Sequence, residues 1–121
     1  MKTPLRYPGG KSRAVKHILP LIPQDCGELC SPFLGGGSVE LAVAERGTRV
    51  YAYDLFEPVA WFWQALLLEP ACLAALSDRH RVEHMDYGEK RGLLKEDFHR
   101  LRAELRKDYT FSFENAAKFY A

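Results

Sequence analysis

The sequence predicts an α/β fold, and three observations predict it. Gly27 to Ser31 forms a short strand candidate bounded by turn signals. The triplet Gly35-Gly36-Gly37 follows it and opens a helix candidate. Thr48 to Tyr53, rich in β-branched and aromatic residues, then makes a second strand that closes on Asp54. Consecutive glycines let backbone pass close to a ligand with no side chain in the way. An acid at the end of the next strand stands where nucleotide-binding α/β folds place the carboxylate that holds a ribose. Together they describe a site for an adenosine-containing cofactor. The blander readings are a flexible glycine turn, and an Asp54 that forms a turn or caps the helix before Pro58.

The elements follow in order. Residues 1–11 are an irregular leader ending in Tyr7-Pro8-Gly9-Gly10-Lys11, which suits neither a helix interior nor a central strand. Ser12 is expected to cap a helix with Val15, Ile18, Leu19 and Ile22 on one face, ended by Pro20 and Pro23. Ser38 reads as the N-cap of the next helix, with Val39, Ala42 and Val43 inward and Gly47 as its stop. The βαβ unit over residues 27–54 approaches the ~30 residues such a unit takes. From residue 58 to 121 the chain is expected to be mostly helical. An aromatic-rich helix carries Val59-Ala60-Trp61-Phe62-Trp63, and a short helix covers Ala71 to Leu76. Residues 77–92 read as polar and irregular. Leu94, Phe98, Leu101 and Leu105 mark an amphipathic helix, and a last helical pattern begins at residue 112.

At 121 residues the chain is one domain at most, and 47% hydrophobic residues suffice for a core. Lys and Arg total 17 against 16 acids, a net charge of +1 that neither supports nor excludes a nucleic-acid partner. The charge is uneven: residues 1–20 hold Lys2, Arg6, Lys11, Arg13 and Lys16 with no acid. Three cysteines with no secretory signal ahead of them suit a reducing cytoplasm. Cys26 and Cys30 lack a second pair, and His80 and His84 lack a third ligand, so ordinary thiols and surface histidines are expected rather than a metal site. No apolar run reaches the ~18 residues that span a membrane.

The glycine loop is not a phosphate-binding P-loop, since no Gly-Lys-Ser/Thr follows it, nor does it match Gly-x-Gly-x-x-Gly. Phe33 and Phe56 could flank an adenine or be plain core. The leader could be a flexible segment with a solvated lysine, or a ligand-approaching loop with Tyr7 as a stacking face and Lys11 for a negative group.

Read together, Arg6-Tyr7-Pro8-Gly9-Gly10-Lys11-Ser12, Ser31-Pro32-Phe33-Leu34-Gly35-Gly36-Gly37-Ser38-Val39-Glu40 and Tyr51-Ala52-Tyr53-Asp54 resemble, in order and spacing, the Dam-like adenine-specific DNA methyltransferases. The resemblance implies a Rossmann-like fold that uses S-adenosylmethionine to methylate the exocyclic amine of adenine in double-stranded DNA. By matching positions, it implies cofactor contacts from Tyr7, Lys11, Pro32, Phe33, Gly35, Gly37 and Asp54, and a DNA contact from Arg6. Two departures stand out. Ser31 occupies the place of an acid common in the family. The family's Asp-Pro-Pro-Tyr motif, which receives the target base, is missing, for no Pro-Pro pair occurs in the chain. A βαβ unit also supplies only two strands, fewer than a covered α/β sheet needs. The expectation is therefore one partial methyltransferase domain over 1–121, the front part of an enzyme with no catalytic residue of its own. The alternatives are a non-catalytic cofactor- or DNA-binding remnant, or half of a split enzyme whose second chain supplies the motif. A methyltransferase of another substrate and an inert remnant are the remaining readings.

Overall fold

The structure, a computed structural model, describes residues 1–84 and 95–120. It mixes helices with a small parallel sheet, and the chain divides into two compact units, Met1–Leu55 and Phe56–Ala121.

In the first unit, β1 (Glu28–Ser31) pairs in parallel with β2 (Arg49–Ala52), with Leu29 opposite Val50 and Ser31 opposite Ala52. Bonds from Arg49 N–H to Gly27 O at 3.2 Å and Tyr53 N–H to Ser31 O at 2.8 Å prolong the ladder at both ends. The connection is α2 (Ser38–Ala44), whose Val43 is 1% exposed. Gly47, at φ +87°, follows its end in the left-handed region that glycine enters without a Cβ penalty.

Two expected caps are replaced. Ser38 lies inside α2, and the cap is Gly37 at φ +67°, whose carbonyl accepts the Leu41 N–H at 3.0 Å. Ser12 caps nothing; its hydroxyl lies 2.9 Å from that of Ser38, and α1 is only Val15–Ile18. The chain tightens into a 3-10 turn at Leu19–Leu21, because Pro20 brings no N–H to an α-helical bond. The expected face survives: Val15, Ile18, Leu19 and Ile22 are half-buried while Leu21 is exposed.

The second unit is helical. In α3 (Glu57–Leu68), Pro58 occupies the first turn, where its missing N–H leaves no bond unmade. Val59, Trp61, Phe62, Trp63 and Ala65 are buried. Pro70 opens α4 (Pro70–His84), which overturns the expected short helix over 71–76 and irregular stretch from 77. Leu73, Ser77 and His80 are buried at steps of four and three, so two polar residues complete the helix's inner face. Ser77 donates its hydroxyl to Leu73 O at 2.7 Å, and His80 Nε2 lies 2.7 Å from Glu114 Oε1. His80 is therefore a buried residue, not the surface histidine expected. In α5 (Lys95–Lys107), Leu101 is buried and Leu105 half-buried; Leu94 and residues 85–92 lie outside the described residues.

The last helix, α6 (Phe113–Tyr120), begins at Ser112, whose hydroxyl accepts the Asn115 N–H at 3.0 Å. Asn115 is buried, and its side-chain amide donates to Asp108 O and Thr110 O, both at 3.0 Å, which fixes the turn entering α6. Ala116 and Ala117 are fully buried small residues on this helix, and the Tyr120 ring stacks on Phe62 at 4.9 Å. This core buries aromatic side chains, which carry large apolar areas.

Candidate functional site

The first unit's two strands are parallel, so their carboxyl ends lie side by side, and the glycine turn and Asp54 leave from those ends. Such strand ends are where ligands bind in open α/β sheets. Leu34 N–H donates to Tyr53 O at 2.8 Å, joining the two exits, and Gly37 N–H closes the turn on Leu34 O at 2.8 Å. Asp54 Oδ2 then accepts the Gly35 N–H at 2.7 Å. A carboxylate accepting a backbone N–H makes a charge-assisted bond, roughly twice as strong as a neutral one. The acid thus orders the glycine turn as well as standing at the strand end.

The leader lies against this turn. A Cβ added at Gly35 would lie 3.3 Å from Tyr7 Cδ1, and one at Gly36 would lie 3.3 Å from Tyr7 Cβ. Gly35 also holds φ +48°, so substitution there meets both backbone strain and the Tyr7 ring. The leader's own turn has Pro8 in its second position and Gly9, at φ +75°, in its third, closed by Gly10 N–H to Tyr7 O at 2.9 Å.

Of the residues singled out from sequence, Tyr7, Gly35 and Asp54 come together, with Gly37 shaping the turn as the cap of α2. Pro32 and Phe33 are exposed, Phe33 at 86%. Lys11 is exposed and its ammonium donates to Gly9 O at 2.7 Å, across its own turn. Arg6 is exposed. Phe56 packs edge-on against Phe119 at 5.9 Å in the helical unit's aromatic cluster.

Three further residues belong to the site. Thr3 donates its hydroxyl to Gly36 O and accepts the Leu5 N–H at 3.2 Å, while Leu5 is buried. Nothing in an irregular leader announces those contacts, and the Thr3 bond to Gly36 closes over 33 residues. Glu40 is the third: Ser31 Oγ donates to its Oε1 at 2.5 Å. Its signal was legible, since an acid in the first turn of the helix after a glycine turn reaches back towards the strand before it.

A sequence profile of the family described as D12 class N6 adenine-specific DNA methyltransferase matches residues 7–121. The chain belongs to this family. The match starts at Tyr7, whose ring packs on the glycine turn, and takes in the turn, Asp54 and the helical unit. A comparison with curated proteins finds no match for the chain.

Elsewhere, a recess of about 390 Å³ in the helical unit is lined by Arg79, His80, Arg100, Glu104, Glu114 and Lys118. Glu114 pairs with Arg79 at 3.0 Å and Glu104 with Lys118 at 3.0 Å, so its charges serve packing. Hydrogen bonding from Lys118 holds the Glu104 carboxyl below its ordinary value. Among the described residues no group of three His, Cys, Asp or Glu gathers to hold a metal ion. No helix among them is long and apolar enough to cross a membrane.

Proposed function

We propose that the first unit is a Rossmann-like holder for S-adenosylmethionine, serving methyl transfer to the exocyclic amine of adenine in double-stranded DNA. The observation that carries this reading is the Asp54–Gly35 bond at the carboxyl ends of two parallel strands, with the Tyr7 ring packed on the same turn. When bound, S-adenosylmethionine supplies an electrophilic methyl group on a sulfonium centre.

The residues present suit that molecule. Asp54 is acceptor-only when ionised, as ribose hydroxyls require, and an Asn would copy this only in part. The glycine turn presents backbone without side chains, and Lys11 supplies an ammonium for a carboxylate. Ser31 lacks the acid common at its position, and Glu40 brings a carboxylate to the end of β1 from α2 instead. Pro32, Phe33 and Gly37 complete the proposed cofactor contacts, and Arg6 the proposed DNA contact.

The acceptor half is assigned differently. An adenine amine is out of reach within the stack, so the base must leave the duplex to react. With no Pro-Pro pair in these 121 residues, the groups receiving that base are proposed to come from outside them, on a further segment or a second chain. By themselves the 121 residues are expected to bind the donor and to leave duplex adenine unmethylated.

Calorimetric titration with S-adenosylmethionine tests the reading. The parent chain is expected to release or absorb measurable heat, and Asp54→Asn to bind about 10- to 100-fold more weakly. That range corresponds to a charge-assisted hydrogen bond of about 1.5–3 kcal/mol. The Asn carbonyl can still accept the Gly35 N–H, so the turn is kept while the charge is lost. No heat at millimolar parent protein, or equal affinity in the variant, sinks the donor-site assignment.

A further inference from the structure

We propose that a recess between the leader and the α1–α2 surface of the first unit is a second DNA-contact site, holding backbone phosphates through Lys2 and Arg13 beside Arg6. The recess measures about 1030 Å³, and Lys2, Arg6, Arg13, Ser12 and Ser38 all line it. The proposal rests on the preceding reading only in taking DNA as the partner; it does not need the donor site.

Charge supplies the first argument. Residues 1–20 contain five Lys and Arg side chains and no acid, and the fold brings three of those cations to one recess. The single acid lining it, Glu45, is engaged by the Met1 ammonium at 2.6 Å. Lys2, Arg6 and Arg13 are exposed, and none forms an ion pair with any described residue. Three like charges gathered around one opening repel each other. Their surplus is suited to a partner of opposite sign.

Shape and chemistry supply the second. Three separate cations line the recess, and successive phosphates of a duplex present charges at regular intervals along a strand. The Ser12 and Ser38 hydroxyls bond each other at 2.9 Å, which leaves one O–H of the pair as a neutral donor of the kind that joins Lys and Arg in phosphate contacts. Contacts of this type set position on the duplex and carry no sequence information. The recess therefore contributes affinity and register, while discrimination between sites belongs to other residues. Tyr7 and Gly36 line the same recess, so a phosphate held there lies beside the turn proposed for the methyl donor.

The test is fluorescence anisotropy of a labelled duplex against salt concentration, using the whole chain and its Lys2→Ala, Arg13→Ala and double variants. Each lost phosphate contact is expected to reduce the slope of log affinity against log salt by about 0.9, and the double variant by nearly twice that. The loss should be the same for duplexes of different sequence. A Lys2→Arg, Arg13→Lys variant should keep the parent slope, which separates lost charge from lost fold. Equal slopes for the parent and the double alanine variant overturn the proposal, as does a parent that binds no duplex at low salt. Calorimetry with S-adenosylmethionine on the same preparations distinguishes the two readings. Donor binding without the slope change defeats the recess alone, and the slope change without donor binding defeats the donor site alone.

Discussion

The two units of the chain are stabilised in different ways. Among the described residues of the first, Leu5 and Val43 are the buried hydrophobic side chains, and its turns are tied by hydrogen bonds such as Asp54 to Gly35 and Ser31 to Glu40. The second buries Val59, Trp61, Phe62, Trp63, Ala65, Leu73, Leu101, Ala116 and Ala117. Apolar burial is the larger driving force and scales with area, whereas a hydrogen bond nets about 1 kcal/mol. The unit holding the glycine turn and its carboxylate is thus the one with the thinner core. Its geometry depends on polar contacts that single substitutions can remove, and the helical unit's on packing that tolerates polar change at its surface.

The largest expected effect falls on the second unit. Phe62→Ala removes a fully buried ring that stacks on Tyr120 and should lower stability by about 3–5 kcal/mol, measured by denaturant unfolding. If the units differ as described, Asp54→Asn in the first should leave that unfolding transition nearly unchanged while weakening the donor. A Phe62→Ala chain as stable as the parent would erase the contrast.

A smaller effect is expected at Glu40. Glu40→Gln keeps an oxygen to accept the Ser31 hydroxyl but removes the carboxylate from the end of β1. Donor affinity should fall about tenfold or less, with unfolding unchanged, as read by calorimetry. Unchanged affinity would reduce Glu40 to a structural partner of Ser31.

The smallest concerns pH in the helical unit. Lys118 lowers the Glu104 carboxyl, and hydrogen bonds from Thr110 and then Asn115 lower that of Asp108. A depressed carboxyl contributes stability that is present above its unfolded value and lost as pH falls through its folded one. The loss should therefore begin as pH falls past about 4 and continue below it. Both groups are solvent-accessible, so the change should be slight, a small drop in melting temperature rather than a cooperative collapse. Following Trp61 and Trp63 fluorescence across that range checks it, and rising stability on acidification would refute it.

Much of this was legible in the sequence where the signal was local. The glycine turn, both strands, the stop at Gly47 and the aromatic helix follow from propensity, spacing and turn chemistry. The helix from Pro70 looks short in the sequence because its inner face runs Leu73, Ser77, His80, and two polar residues there break the hydrophobic period. Their burial depends on distant partners, chiefly Glu114, which no short window contains. The caps failed for a related reason. Ser38 has the right chemistry, but Gly37 reaches the left-handed conformation one residue earlier, and the serine turns to Ser12 instead. At the site, the residues that the fold brings together around the turn, Tyr7, Gly35 and Asp54, were legible in the sequence motifs. Thr3 and Leu5 were not, because their contacts are made only when the leader folds back.

The most direct test of the account is to record amide resonances of the chain while adding S-adenosylmethionine. The predicted result is saturable shifts at Tyr7, Gly35, Gly36, Gly37 and Asp54, with residues of the helical core such as Ala65 and Ala117 unmoved. No shifts, or shifts confined to the helical unit, would contradict the assignment of the methyl donor to the glycine turn and Asp54.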